Sequence, residues 1–71
     1  MKHSGTVIKI QNDIGLLKIR RRVLSFNLGD VICYNLTVGE KVEFMLSENN
    51  PLNIKRPNTT EKEIWEIRSR R

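Results

Sequence analysis

The side chains in this sequence best equipped for chemistry are cations. Lys9, Lys18 and the run Arg20-Arg21-Arg22 fall within one short stretch near the N-terminus. Ammonium and guanidinium groups at that density bind phosphate or carboxylate oxygens, Lys as a point charge and Arg as a planar fork. Residues 1–22 hold six Lys/Arg against Asp13 alone, whereas residues 23–54 hold Lys41 against Asp30, Glu40, Glu43 and Glu48. Such asymmetry marks a binding face, and the net charge of +5 favours an anionic partner such as nucleic acid. The alternative reading of the arginine run is a solvated hairpin tip.

Other chemistry is sparsely represented. Cys33 is the single cysteine, so no intramolecular disulfide can form, which suits a reducing cytoplasm. It lies between Ile32 and Tyr34 with no base beside it in sequence, and reads as a small core residue. There is no Ser/His/Asp set, metal-ligand spacing or glycine-rich phosphate loop. The expectation is a protein with no catalytic residue, metal, cofactor or small-molecule substrate. The opening Met1-Lys2-His3-Ser4-Gly5 is polar with no apolar run behind it, so neither a signal peptide nor a membrane span is expected, and the expected location is cytoplasmic.

The elements that must position these cations read mainly as strands. Thr6 to Gln11 alternates, with Ile8 and Ile10 expected on the core face and Lys9 and Gln11 on the other. Asn12-Asp13 is a turn pair leading into Ile14–Ile19. After the arginines, Val23 to Leu28 reads as a third strand, and Leu28-Gly29-Asp30 as a turn or bulge, with Val31 to Tyr34 extending the strand or forming a short extra piece. Gly39 sits where a tight turn needs positive φ. Lys41 to Leu46 alternates cleanly, with Val42, Phe44 and Leu46 inward. Leu52 and Ile54 mark a short fifth strand, and Val7, Leu17 and Ile19 complete the expected core. Beyond Pro57, Thr60 and Glu63 have the spacing of a capping box, followed by Ile64, Trp65, Ile67 and Arg68. The fold class is therefore all-β: a small, closed or nearly closed five-stranded barrel with a short C-terminal helix, since closure removes exposed edges. An SH3-like barrel is the structural rival. The expected division is a barrel over 1–57 and a helical tail over 58–71.

Residues 5 to about 57 resemble the bacterial cold-shock domain, which implies that the barrel is OB-fold-like, of cold-shock type. Gly5-Thr6-Val7 is similar to that family's opening, Gly39-Glu40-Lys41-Val42-Glu43-Phe44 to its fourth-strand entry, and Asn50-Pro51 to its end. The resemblance implies single-stranded RNA or DNA as partner. It also implies that the family's first RNA-binding motif falls on Gly15-Leu16-Leu17-Lys18-Ile19, where Leu16 and Lys18 replace two stacking aromatics. Lys9 stands where the family has a tryptophan, and the second motif falls near Val23-Leu24-Ser25-Phe26-Asn27. The expected nucleic-acid contacts are Lys9, Leu16, Lys18, Arg20, Arg21, Arg22, Phe26 and Tyr34. Phe26 also reads as core, because Leu24, Phe26 and Leu28 share a strand face, and Tyr34 also reads as the cap of a barrel end. Trp65 is expected to be a partly buried docking anchor, its other reading being a base-stacking contact, with Arg68 beside it in a tail that offers a protein partner a surface. Arg68, Arg70 and Arg71 suit a helix C-terminus. Two other functions remain: a barrel turned wholly to protein partners, and a ribosomal-RNA binder resembling the translation initiation factor one family.

Overall fold

A computed structural model describes residues 2–70. Arg71, expected at the helix end, lies outside the described residues. Five strands, β1 (Lys2–Gln11), β2 (Ile14–Ile19), β3 (Arg22–Asn27), β4 (Lys41–Ser47) and β5 (Asn50–Lys55), precede one helix, α1 (Glu61–Ser69). They form a single antiparallel sheet in the order β3-β2-β1-β4-β5. The sheet is not closed by a ladder between β3 and β5. The two edges are tied instead by Arg22, which donates to Asn49 Oδ1 at 2.7 Å, and by a parallel bridge between Val31 and Ile54. The amide of Ile32 extends that bridge, donating to the Ile54 carbonyl at 2.8 Å.

The core runs through all five strands: Val7, Leu17, Leu24, Phe26, Val42, Phe44 and Ile54, joined by Val31 and Cys33 from the segment before β4. Apolar burial of this kind contributes roughly 1.5–3 kcal/mol per large side chain, and it dictates how the sheet must curl. Leu17, Val42 and Phe44 obey the period-two expectation and are buried.

Ile8 and Leu52 do not, and in each case a bulge is the reason. In β1 the register steps from Val7↔Leu17 to Lys9↔Leu16, leaving Ile8 as the extra residue. The extra residue reverses the alternation, so Val7 is buried, Ile8 is 40% exposed and Ile10 packs against the core. In β5 the step from Glu43↔Lys55 to Met45↔Leu52 accommodates one extra residue, and Asn53 in that interval adopts φ 53°. Leu52 therefore pairs with exposed Met45, while Pro51 takes the buried position opposite Leu46. A proline is tolerated there because β5 is an edge strand.

The turns follow their residues. Asn12 has φ 56° at the β1–β2 turn, and Gly39 has φ 96° before β4. Leu28–Asp30 forms a single 3₁₀ turn rather than more strand. Thr60 caps α1 as expected, accepting from the Glu63 amide at 3.2 Å. The reciprocal half of the capping box is absent, because the Glu63 carboxylate accepts from the Tyr34 amide at 2.7 Å. Ile67, not Trp65, anchors the helix: Ile67 is buried and Trp65 is 70% exposed. Trp65 fails as an anchor because the inward face of α1 is set by Glu63, Ile67 and Arg70, and Trp65 lies on the other side.

Candidate nucleic-acid interface

The outer face of β1, β2 and β3 gathers three of the expected contact residues. Its cross-strand rows are fixed by register. One row is Val23, Lys18, Thr6 and Lys41, spanning β3 to β4, and the next is Ser25, Leu16 and Lys9. A third is Asn27, Ile14 and Gln11. Residues opposed in this way have Cβ atoms about 4.5–5.5 Å apart. Lys9 and Lys18 are exposed and Leu16 is half-buried between them. A groove of about 430 Å³ opens over Leu16, Ile14 and Lys9, with Gln11, Asn12 and Asp13 at its rim. No residue of α1 lines that groove, so the helix does not cover Leu16.

The arginines stand apart from that groove, at the opposite end of β2. Arg20 and Arg21 form the β2–β3 turn, with Arg20 at φ 53°, and Ile19 pairs with Arg22. All three are exposed, and with Lys2 and His3 they border a second depression of about 880 Å³. Lys18 lies between the two regions, so the cations form a track along β2 rather than one cluster. Arg22 spends part of its guanidinium on Asn49, which leaves Arg20 and Arg21 freer to meet an anion.

Phe26 is placed differently from its expected contact role. It is 3% exposed, on the inner face, opposite Gly15. A Cβ built on Gly15 would lie 2.3 Å from Phe26 Cζ, so the glycine is what admits the ring. The Gly15 that resembles the start of an RNA-binding motif thus serves here to seat an aromatic in the core. Tyr34 is also away from the cationic face. Its hydroxyl donates to Glu66 Oε2 at 3.4 Å, and the Arg70 guanidinium lies 5.8 Å from its ring centroid. It is half-buried and packs beside α1.

Sequence reasoning missed several features. Ile14 and Val23 share the outer face with Lys41, which the alternation of β4 already puts outward, and their strand parity would have placed them there once the pairing was known. The second feature has no local signal. Arg56 donates from Nε to Glu40 Oε1 at 2.6 Å and from its Nη atoms to the carbonyls of Tyr34 and Asn35. Glu40 also accepts from the Thr37 amide at 2.7 Å. This network pins the long connection between Asp30 and Lys41. The Arg56 guanidinium and the Thr37 amide hold the Glu40 carboxyl down to about 2, well below the usual carboxylate range. Burial pushes the Cys33 thiol up, which keeps it protonated and inert.

Among the described residues, no group of three or more His, Cys, Asp or Glu side chains is arranged to hold a metal ion. Among the same residues, no helix is long and apolar enough to cross a membrane. No protein-family model, curated protein or solved structure matches the chain.

Proposed function

We propose that this protein binds single-stranded RNA or DNA through the outer face of β1–β3, and that it does so without catalysis. The observation that carries the reading is the side-by-side placement of Lys9, Leu16 and Lys18 on an exposed sheet face that continues to Arg20 and Arg21. The strand order supports a curled OB-type barrel of cold-shock kind, because such a barrel cut between its third and fifth strands has this order. The free, buried Cys33 suits a reducing compartment such as the cytoplasm.

Binding on this face is electrostatic first. A stacked base contributes about 1–3 kcal/mol, and the outer face of the sheet carries Leu16 and Lys18 in place of rings. Phosphate contacts supply the affinity, and salt weakens them. Engagement of three or four phosphates gives a log–log salt slope of about −2 to −3, at ~0.7 per phosphate. The test is a titration with oligo(dT) and oligo(U) at several salt concentrations. Replacing Arg20, Arg21 and Arg22 together by Ala is expected to weaken binding and flatten the slope. Salt-independent affinity, or wild-type affinity in the triple variant, sinks the reading.

A further inference from the structure

The aromatic residues of this chain are distributed unevenly between core and surface. Phe26 and Phe44 are 3% and 1% exposed, and Tyr34 is half-buried against α1. Trp65 is 70% exposed, on a helix whose other side supplies the docking contacts. A tryptophan held in water exposes a large apolar ring with no compensating contact, and so needs an explanation.

The charges around it point to the class of partner. Of the three acids on α1, Glu63 and Glu66 are turned towards Tyr34 and accept hydrogen bonds from it. The outward side carries Lys62, Trp65 and Arg68, with Glu61 in the first turn as its one acid. Lys62 and Arg68 lie one turn before and after Trp65, so the indole is flanked by cations along the helix. Arg68 is held in place by donating to Asn53 Oδ1 at 3.2 Å. That tether joins the helix to the sheet. A groove of about 430 Å³ between them is bordered by Arg68, Ile64, Lys55, Lys2 and Met45, and by Glu43, whose carboxylate is 3.3 Å from Lys2 Nζ. The row Lys18–Thr6–Lys41 leads across the sheet towards this groove. Positive side chains thus run from β2 to the groove beside α1, whose border residues Ile64 and Arg68 are helix neighbours of Trp65.

We infer that Trp65 is a base-stacking contact for single-stranded nucleic acid, reached by a strand that leaves the sheet face and crosses onto α1. The inference rests on the function proposed above. An aromatic face flanked by cations is the arrangement that holds an unpaired base and its phosphates together. The sheet supplies the charge, and the helix supplies the ring that the sheet lacks.

Trp65 is the only tryptophan, so its fluorescence reports this contact directly. Titration of the full chain with oligo(U) or oligo(dT) long enough to span sheet and helix is expected to quench it with the midpoint of overall binding, measured separately by anisotropy of a labelled oligonucleotide. Trp65→Ala is expected to weaken binding about tenfold with the salt slope unchanged, and Trp65→Phe to lose less. Exposure of the ring means that neither change disturbs folding, which circular dichroism checks. Affinity of Trp65→Ala within twofold of wild type overturns the inference and leaves the sheet-face reading standing. Poly-glutamate that quenches Trp65 and competes as well as the oligonucleotide overturns it in favour of an acidic protein partner. Absence of oligonucleotide binding at low salt overturns both.

Discussion

Gly15 and Phe26 show how a motif-like residue can be committed to packing. The ring occupies the space a Cβ on Gly15 would need, so even Gly15→Ala forces a ring or a strand to move. Overpacking of a filled core costs about 1–3 kcal/mol, and the expected result is a Tm lowered by several degrees. Phe26→Leu in the Gly15→Ala background should recover part of that loss, because the smaller side chain clears the same space. Differential scanning calorimetry of the single and double variants checks it, and strict additivity would remove the steric account.

Glu40 makes a second residue-scale prediction. Its carboxyl is held down to about 2 from an ordinary 4.5, first by Arg56 and then by the Thr37 amide. A carboxyl whose folded value is depressed stabilises the native state above its unfolded value. That contribution is lost as the pH falls from 4.5 towards 2. Glu40→Gln should therefore lower Tm at pH 7, and the gap between variant and wild type should close across that acid window. A gap independent of pH would mean that the Arg56 staple acts through packing rather than charge.

At the scale of elements, the legible parts of the fold were those with an uninterrupted period. β2 and β4 keep strict alternation, and Leu17, Val42 and Phe44 fell where it put them. The Thr60 cap was visible for the same reason, being a contact between residues three apart. Ile8 and Leu52 were misread because a bulge shifts register without altering composition, so a run such as Val7-Ile8-Lys9-Ile10 offers two consistent alternations. The outward placement of Lys18 was legible from the strict alternation of β2, and that of Lys9 from its alternation with Ile10 beyond the bulge. Trp65 was not, because a short helix with Ile64 and Ile67 beside it offers more than one face to dock, and the choice is made by Glu63 reaching Tyr34 across 29 residues. Helix docking also bears on the expected division at residue 57. Ile67 and Glu63 brace the segment that includes Tyr34, while the strands hold most of the core. The fragment 1–57 is expected to fold with a lower Tm than the whole chain, and Ile67→Ala to reproduce part of the difference, costing about 2 kcal/mol for a partly rim-placed side chain. An unfolded fragment at room temperature would make helix and strands one indivisible unit.

The whole molecule is small, with a Cα radius of gyration of 11.2 Å, and carries its positive charge unevenly. Its open line between β3 and β5 has a mechanical consequence. The sheet is open along that line, and its edges are held by a clasp, fastened at one end by Arg22 on Asn49 and at the other by Val31 and Ile32 on Ile54. Strands inside the sheet are held by partners on both sides and can separate only when everything does, whereas a clasp can spring by itself. In native-state hydrogen exchange the Val7 amide, bonded to the Glu40 carbonyl beside the central pairing, should exchange only through global unfolding. The Ile32 amide should exchange through a smaller, denaturant-insensitive opening, and Arg22→Ala should speed it while leaving Val7 tied to global stability. Equal protection at both amides would show that the clasp opens only with the whole sheet. With the clasp, the curvature of the cationic face becomes adjustable, so that the surface can tighten or relax without unfolding.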